Sequence, residues 1–473
     1  MKKFLLIGLG LLGAYSVNAQ EKREWTFEEC ITYALDHNID IRQREQNVQA
    51  AENTRQASTL NFTPSLNLNA GYNWNFGLSI DPVTNVPSSL NRQTGNLSLS
   101  SQLVLFDGLR NVNQYRQARV DYMASVYNLD AVKNDVAVNV ASSYLQVLMN
   151  KEIYVVAVEQ YNNSVRMFEQ AQRRYDAGAI AEGDLLQSES QMASDEQRMV
   201  VAENNVALSR LQLAQLLQLD DPSSFDIGRP EFDLPAGSVL TRSPMSIFTA
   251  AREIQPVVQA SEMNVQSAEL QLSQARGRYY PTLSLTGAIS TNYSDRIPVF
   301  NGTTTVVDQI GYWDDNGTSV PVFTSYTVPT GQEVKAFNSQ VTDNLNEFIG
   351  FNLNWPIYSR YQIRNEVRFQ QLQLENAELE QERVENQLLQ TIQRAHADAQ
   401  ASLKSYDAST KAVQAAELSL EYARIRRDEG AISQFEFDNA RNNYLAAKSQ
   451  QLQSKYDYIF KIRVLEFYLN NQF

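Results

Sequence analysis

The chain has 473 residues, 43% of them apolar, and its 54 acidic side chains outnumber 40 basic ones for a formal net charge of -14. That length would serve two or three ordinary domains, and the acidic balance excludes a nucleic-acid partner, because nothing would neutralise the phosphates. Cys30 is the only cysteine, which excludes an intrachain disulfide and a cysteine-built metal site.

In chain order, residues 1–19 read as a signal peptide. Met1-Lys2-Lys3 is a positive start, Phe4 to Leu12 is an apolar core too short to span a bilayer, and Val17-Asn18-Ala19 fits a cleavage site. Export follows, and loss of Lys2 and Lys3 makes the mature chain more acidic still. Gly8-Leu-Gly10-Leu-Leu-Gly13 matches a dinucleotide fingerprint only by accident, since no strand precedes it. Cys30, in Glu28-Glu29-Cys30-Ile31, reads as a small buried helix residue and not as a lipid attachment point. After the leader no run of eighteen apolar residues occurs, so membrane entry would have to use strands.

A helix over 40–62 is followed by a strand over 65–76. Leu66, Leu68, Ala70, Tyr72, Trp74 and Phe76 alternate there with Asn and Gly, a period of two with one apolar face. A second strand, 96–106, follows a moderate loop at 77–95. Residues 109–177 and 184–221 then contain no Gly or Pro; the first, as one helix, would be about 100 Å long, more than any globular domain holds.

The segment 222–244, rich in Pro, Gly and Ser, reads as a linker. Beyond it the pattern returns: strands over 282–293 and 345–357, with Glu347 the exception on an apolar alternation, a long polar loop at 294–344, and helices over 357–429 and 431–473. Arg174-Tyr-Asp-Ala-Gly178-Ala179-Ile180 resembles Arg426-Arg-Asp-Glu-Gly430-Ala431-Ile432 at an offset of 252 residues, and Leu105-Phe106-Asp107 meets Ile357-Tyr358-Ser359 at the same offset. Pro64-Ser-Leu-Asn-Leu aligns with Pro281-Thr-Leu-Ser-Leu. We therefore read two copies of one unit, 20–221 and 245–473. Val384, Leu388, Ile392, Ala395, Ala399, Leu403 and Tyr406 form an eleven-residue stripe, matched at 252 residues' distance by Val132, Val136, Val140, Ser143, Val147, Lys151 and Tyr154. Such a period turns helices away from the left-handed supercoil of simple heptads.

Four strands of membrane length cannot close a barrel, since known outer-membrane barrels begin at about eight strands, and an open edge in lipid would leave N–H and C=O groups unpaired. The strands must be pooled with other chains. At this point the order and doubling of the motifs Tyr175-Asp-Ala-Gly178-Ala-Ile-Ala-Glu-Gly-Asp184, Asp428-Glu429-Gly430-Ala-Ile-Ser-Gln-Phe-Glu436 and Leu105-Phe106-Asp107-Gly108 resemble the TolC-like outer-membrane efflux protein family over essentially the whole mature chain. The resemblance implies a mainly α fold with membrane β: a trimeric 12-stranded β-barrel, four strands per chain, continued by a long α-helical barrel across the periplasm. It implies a passive exit channel of a tripartite efflux pump or type I secretion system in the outer membrane. Its partners would be two further copies, a periplasmic adaptor, an inner-membrane pump and outer-membrane lipid, with no cofactor, no metal and no enzymatic role.

The same resemblance assigns residues. Gly178, Ala179, Ile180, Gly430, Ala431 and Ile432 would form adaptor-docking tips, although Gly at a helix end also has a purely structural role. Glu436, Asp438, Asn439 and Asp184 would stand at the periplasmic aperture. Glu436 falls where the first acid of the family's acidic ring belongs, Asn439 replaces the expected second acid with Asp438 adjacent, and early-helix carboxylates are also ordinary dipole partners. Tyr72, Trp74, Phe76 and Trp355 would form the aromatic girdle at the membrane interfaces. Two other readings compete: a periplasmic coiled-coil scaffold or adaptor with a small β-domain, and an exported enzyme. For the latter, His37 and His396 are the only histidines, and no HExxH, Walker loop or GxSxG occurs.

Overall fold

A computed structural model describes residues 24–80, 85–88, 91–222, 224–228, 234 and 237–470; the leader at 1–19 and part of the 222–244 linker lie outside them. The elements in chain order are β1 (Glu24–Trp25), α1 (Phe27–His37), α2 (Ile39–Leu60), β2 (Ser65–Asn75), β3 (Ser79–Ile80), β4 (Pro87–Ser88), β5 (Arg92–Phe106), α3 (Arg110–Asp176), α4 (Glu182–Leu216) and β6 (Asp226–Ile227). There follow α5 (Pro244–Ile254), α6 (Pro256–Gly277), β7 (Thr282–Ser294), β8 (Pro298–Asp315), β9 (Thr318–Val334), α7 (Phe337–Asp343), β10 (Asn346–Asn354), α8 (Gln362–Asp428) and α9 (Gln434–Asn470). The chain is mostly helical with some sheet. It divides into two compact units, one of Met1–Glu52, Val120–Val265 and Asn376–Phe473, the other of Asn53–Arg119 and Gln266–Glu375.

The first unit is a helical assembly with two cores. One gathers Cys30 and Ala34 of α1, Val140, Tyr144 and Leu148 of α3, Leu213 of α4 and Ile459 of α9. The other joins Ile247, Val258, Ile392, Ala399, Ile462 and Leu465. The eleven-residue stripes supply Val136, Val140 and Val147 to the first core and Leu388, Ile392 and Ala399 to the second. α3 and α8 are each 67 residues long, about 100 Å at the helical rise. β1 pairs in parallel with β6, and Lys151 Nζ ties this pair to α3 by reaching Asp226 Oδ1 at 2.6 Å and the Ile227 carbonyl at 2.6 Å.

The second unit is built on one antiparallel sheet of order β10-β7-β5-β2. Register sorts its side chains by polarity. Leu66, Leu68, Ala70, Tyr72 and Trp74 stand opposite Ser101, Leu99, Leu97, Gly95 and Gln93; Leu97, Leu99 and Leu103 continue to Thr291, Ile289 and Leu285; and Ile289, Gly287, Leu285 and Leu283 end at Glu347, Ile349, Phe351 and Leu353. That face is apolar apart from a few positions, Glu347 among them. The opposite face carries Asn67, Asn69, Asn73, Ser98, Ser100, Ser284, Ser290, Asn352 and Asn354. Among the described residues neither edge strand, β2 or β10, has an outer partner.

Where β5 ends, the backbone turns into α3 through Gly108 at φ +72. An added Cβ there would sit 2.3 Å from the Gly277 carbonyl at the end of α6, and one on Gly277 would meet Arg110 at 2.6 Å. Two glycines therefore let the strand exit and α6 touch backbone to backbone. Asp107 caps the new helix, its Oδ2 accepting from Asn111 N at 2.9 Å.

The structure corrects several expectations in this unit. β5 starts at Arg92, where the loop at 77–95 was expected, because Arg92 to Thr94 pair with Asn75 to Asn73 although Gly95 interrupts their alternation. The rest of that loop holds the short β3–β4 pair. The expected polar loop at 294–344 is instead the long hairpin β8–β9 and the helix α7. Its turn is Asn316-Gly317 with φ +50 and +85, the pair of left-handed positions that a two-residue hairpin turn requires, flanked by strands rich in Val, Thr and aromatic residues. β10 is shorter than 345–357, ending at Asn354 before Trp355-Pro356. α8 begins only at Gln362, after Arg360 and Tyr361 take φ +50 and +69.

Candidate functional site

The two helical turns of the first unit share one construction. At the end of α3, Gly178 sits at φ +71, Gly178 N donates to the Tyr175 carbonyl at 2.8 Å and Ala179 N to the Arg174 carbonyl at 2.8 Å. At the end of α8, Gly430 at φ +73 donates to Arg427 and Ala431 to Arg426, at 2.9 and 2.7 Å. Each is a Schellman cap, which satisfies two terminal carbonyls and places its glycine in the left-handed region. Ala179 and Ala431 are exposed, and Ile180 and Ile432 half-buried, so each turn presents a small apolar surface.

Beyond each turn the four aperture residues separate. Glu436 is exposed and closes a capping box on α9: Ser433 N donates to its Oε2 at 3.0 Å while Glu436 N donates to Ser433 Oγ at 3.3 Å. Asp184 and Asn439 are exposed in the opening turns of α4 and α9. Asp438 is not with them; it is 4% exposed.

Asp438 belongs to a buried ion cluster with Arg441, 5% exposed, and Asp195 of α4, 0% exposed. Arg441 Nη2 lies 3.4 Å from Asp195 Oδ2 and 3.5 Å from Asp438 Oδ1. Asp195 also accepts from Gln160 Nε2 of α3 at 3.0 Å, Gln191 Nε2 at 3.1 Å and Arg198 Nη1 at 3.3 Å. Gln434 donates to Asp438 at 3.1 Å. Burial pushes the Asp438 carboxyl above the usual aspartate range, with Arg441 pulling the other way, and the same burial holds the Arg441 guanidinium below its ordinary value. The cluster therefore cross-links α3, α4 and α9 within the helical unit that carries both turns. Sequence reasoning singled out neither Arg441 nor Asp195, though both copies carry an Asp-x-x-Arg spacing: Asp195 with Arg198, Asp438 with Arg441.

In the second unit, Tyr72, Trp74 and Phe76 come together at the end of β2, exposed by 45%, 62% and 77%. Tyr72 stacks on Tyr293 at 6.2 Å and meets Trp74 edge-on at 4.9 Å. Trp355, 60% exposed, follows Asn354, which pairs with Thr282 at the start of β7, so it stands at the opposite end of the sheet.

Among the described residues no group of His, Cys, Asp and Glu could hold a metal ion. His37 stacks on Tyr33 at 3.9 Å, and His396 Nε2 sits 3.1 Å from the Arg242 carbonyl. Cys30 is fully buried, and burial followed by the Glu29 charge pushes its thiol up to about 12, which leaves it unreactive.

Residues 30–218 and 248–471 match the family model described as outer membrane efflux protein. The chain is 22% identical over 378 residues to the outer membrane efflux protein BepC of Brucella suis biovar 1, covering 79% of this chain and 71% of that one. It is 22% identical over 473 residues to the outer membrane protein TolC of Escherichia coli K12, covering 97% and 84%. Among solved structures it resembles the outer membrane protein VceC of Vibrio cholerae, with a TM-score of 0.72 at 15% identity over 94% of this chain and 95% of that one. It also resembles the open state of the Neisseria gonorrhoeae MtrE outer membrane channel, with a TM-score of 0.67 at 17% identity over 94% and 88%.

Proposed function

We propose that this chain, which belongs to the outer membrane efflux protein family, is the exit duct of a tripartite efflux pump or type I secretion system, a passive conduit from periplasm to exterior. The observation that carries the reading is the sheet of the second unit: one largely apolar face, one face mainly of Asn, Ser and Thr with Phe348 among them, and, among the described residues, two edges without partners. In lipid such edges must be paired, and four strands fall short of the about eight that close the smallest outer-membrane barrels. A homotrimer pools twelve strands from the four-stranded sheets, with Leu66, Leu68 and Phe351 toward lipid and the asparagines toward a wet lumen.

The same reading gives the rest of the chain its work. α3 and α8, beginning at Arg110 and Arg110's counterpart Gln362 and equal in length, are the long staves of two related copies, lined up with those of neighbouring protomers in a helical barrel across the periplasm. The turns at Gly178–Ile180 and Gly430–Ile432 are the docking tips for a periplasmic adaptor, which links the duct to an inner-membrane pump. Glu436, Asp184 and Asn439 line the aperture, while Asp438 braces it from within the helix packing. Tyr72, Trp74 and Phe76 form one aromatic girdle and Trp355 the other. Conduction of this kind calls for no cofactor and no catalytic group. A periplasmic scaffold or adaptor would have no use for a membrane-length sheet with one apolar face.

Cell fractionation with mild crosslinking tests the reading. The protein is expected in the outer membrane, released only by detergent and crosslinked to a trimer, and its deletion is expected to raise susceptibility in a panel of toxic compounds. A soluble periplasmic monomer would overturn it.

A further inference from the structure

One end of the four-stranded sheet is marked by Ser65, Phe106, Thr282 and Asn354, where β2 and β7 begin and β5 and β10 end. The chain just outside this end is basic and aromatic. Arg276-Gly-Arg278-Tyr279-Tyr280 leads from α6 into β7, and Tyr358-Ser-Arg360-Tyr361 leads from β10 into α8, whose opening turns add Arg364 and Arg368. The five arginines are exposed, and Tyr279, Tyr280, Tyr358 and Tyr361 are exposed by 47%, 59%, 85% and 61%.

These segments meet. Arg278 lines one hollow with Asp107 and Arg110 at the start of α3 and with Glu366 of α8. The carboxylates there are already engaged: Asp107 Oδ2 accepts from Asn111 N at 2.9 Å, and Glu366 Oε1 from Gln370 Nε2 at 3.1 Å. Among the described residues no carboxylate pairs with any of the five exposed arginines. Arg364 lies over the Tyr361 ring at 5.1 Å, and Arg368 Nη1 donates to Gln371 Oε1 at 3.4 Å.

Fold stability does not account for this concentration of charge. A cation in the first turn of a helix opposes the macrodipole, yet Arg364 stands there with no acidic residue in that turn. Arg360 and Tyr361 hold φ +50 and +69, left-handed backbone that favours glycine, and the residue 252 positions before Arg360 is Gly108. Only Arg276, in the last turn of α6, complements a helix end. Beyond the other end of the sheet the balance reverses: between residues 295 and 345, Asp295, Asp308, Asp314, Asp315, Glu333 and Asp343 outnumber Arg296 and Lys335.

We propose that this arginine and tyrosine patch binds the phosphate of anionic glycerophospholipids in the leaflet at the end of the sheet from which α3 and α8 depart. The proposal deepens the membrane-duct reading above and rests on it. With the apolar sheet face in hydrocarbon, Trp355 and the tyrosines fall at the interface, where amphipathic rings sit. The guanidiniums then reach the phosphate level on their apolar stems and meet its oxygens with paired donors. Charge selects the occupant, because unpaired cations gathered on an acidic chain attract a phosphate surface while the acidic far end repels one. Recognition is thereby confined to one leaflet.

The test uses the full-length trimer in neutral detergent, titrated with phosphatidylglycerol or with zwitterionic phosphatidylcholine of the same acyl chains, bound lipid being counted by native mass spectrometry. Phosphatidylglycerol is expected to bind more tightly. The triple variant Arg278→Gln, Arg360→Gln, Arg364→Gln is expected to weaken that binding more than about tenfold, since each arginine near an anionic lipid surface contributes about 1 kcal/mol, or about five-fold. Lysine at the same three positions is expected to restore most of it, and Arg394→Gln with Arg424→Gln, exposed sites further along α8, to bind like the parent. If the triple variant yields no trimer, the three single variants replace it, each expected to lose about five-fold. Equal binding of the two lipids by the parent, or displacement of phosphatidylglycerol by an equal concentration of inorganic phosphate, overturns the proposal. So does unchanged lipid binding in the variants, whether the patch then contacts a protein that co-purifies with the parent alone or lines the lumen and alters conductance in phosphatidylcholine bilayers. If the parent itself forms no trimer in the outer-membrane fraction, the duct reading fails and the lipid site with it; a trimer indifferent to headgroup charge overturns the lipid site alone.

Discussion

Arg441 reaches Asp195 at 3.4 Å although the two stand 246 residues apart, and both are buried where α4 and α9 pack together. An aspartate that is 0% exposed tolerates its charge only because donors surround it. Removing one partner of a buried ion pair leaves an uncompensated charge and costs about 3–5 kcal/mol. Arg441→Ala is therefore expected to lower the urea midpoint of the detergent-solubilised protein strongly, whereas Arg463→Ala, at a half-exposed pair with Glu466, is expected to shift it by less than about 1 kcal/mol. Equal effects would mean that the cluster does not brace the helices.

Asp438 gives the cluster a pH dependence whose sign follows from its cause. Burial raises its carboxyl above the ordinary aspartate value, so the native state holds that proton more tightly than the unfolded chain. The resulting stabilisation is fully present below the unfolded value and is lost as pH rises through the native one. Asp438→Asn removes the titration, and its urea midpoint is expected to fall less than the parent's across that window. Parallel pH profiles for the two proteins would refute the assignment.

The legibility of these features in the sequence follows the range of the forces that make them. A strand's faces alternate residue by residue, so Leu66 to Trp74 announces its two environments without reference to any neighbour. Gly178 and Gly430 are visible for the same local reason, a helix end that demands positive φ. The β8–β9 hairpin carried a local signal too, Asn316-Gly317 between β-branched runs, but the abundance of Gly, Thr and Asn in 294–344 hides it behind a loop-like composition. The ion cluster is legible only in part: Asp438 and Arg441 are three residues apart and look like an exposed helix pair. Their burial comes from α3 and α4, whose contributions to that point lie hundreds of residues away in the chain.

The glycine caps make a separable prediction. No heavy atom lies within 4 Å of a Cβ built on Gly178 or Gly430, so Gly178→Ala and Gly430→Ala create no clash and act only through positive φ. Each is expected to cost about 1–2 kcal/mol, with Asn in place of Ala recovering part of the loss. Urea midpoints of the two single variants check this, and a neutral effect would show that the turns relax to another backbone path.

Glu436 caps α9 and is proposed to line the aperture, and the two roles come apart in Glu436→Gln. The amide keeps an acceptor for Ser433, so stability is expected to hold, whereas Ser433→Ala removes the cap and is expected to cost about 1 kcal/mol. Cation block and conductance in planar bilayers are expected to change in Glu436→Gln and not in Ser433→Ala. If Glu436→Gln conducts and is blocked like the parent, Glu436 is a cap alone.

Leu68 and Asn69 are consecutive residues of β2, paired with Leu99 and Ser98, and their side chains leave opposite faces of the sheet. A charge at either site meets the same depth in the membrane, so only the face differs. On the lipid face an arginine near the bilayer midplane costs about 2–4 kcal/mol, while on the lumen face it stays in water. Leu68→Arg is therefore expected to reduce the trimer recovered from the outer membrane and its resistance to heat in detergent. Asn69→Arg is expected to leave assembly intact and to alter conductance or ion preference instead. The reverse outcome, with Asn69→Arg blocking assembly and Leu68→Arg changing conduction, would mean that the sheet closes with its asparagines toward lipid. That arrangement would bury uncompensated amides in hydrocarbon, which is the physical ground for expecting the first result.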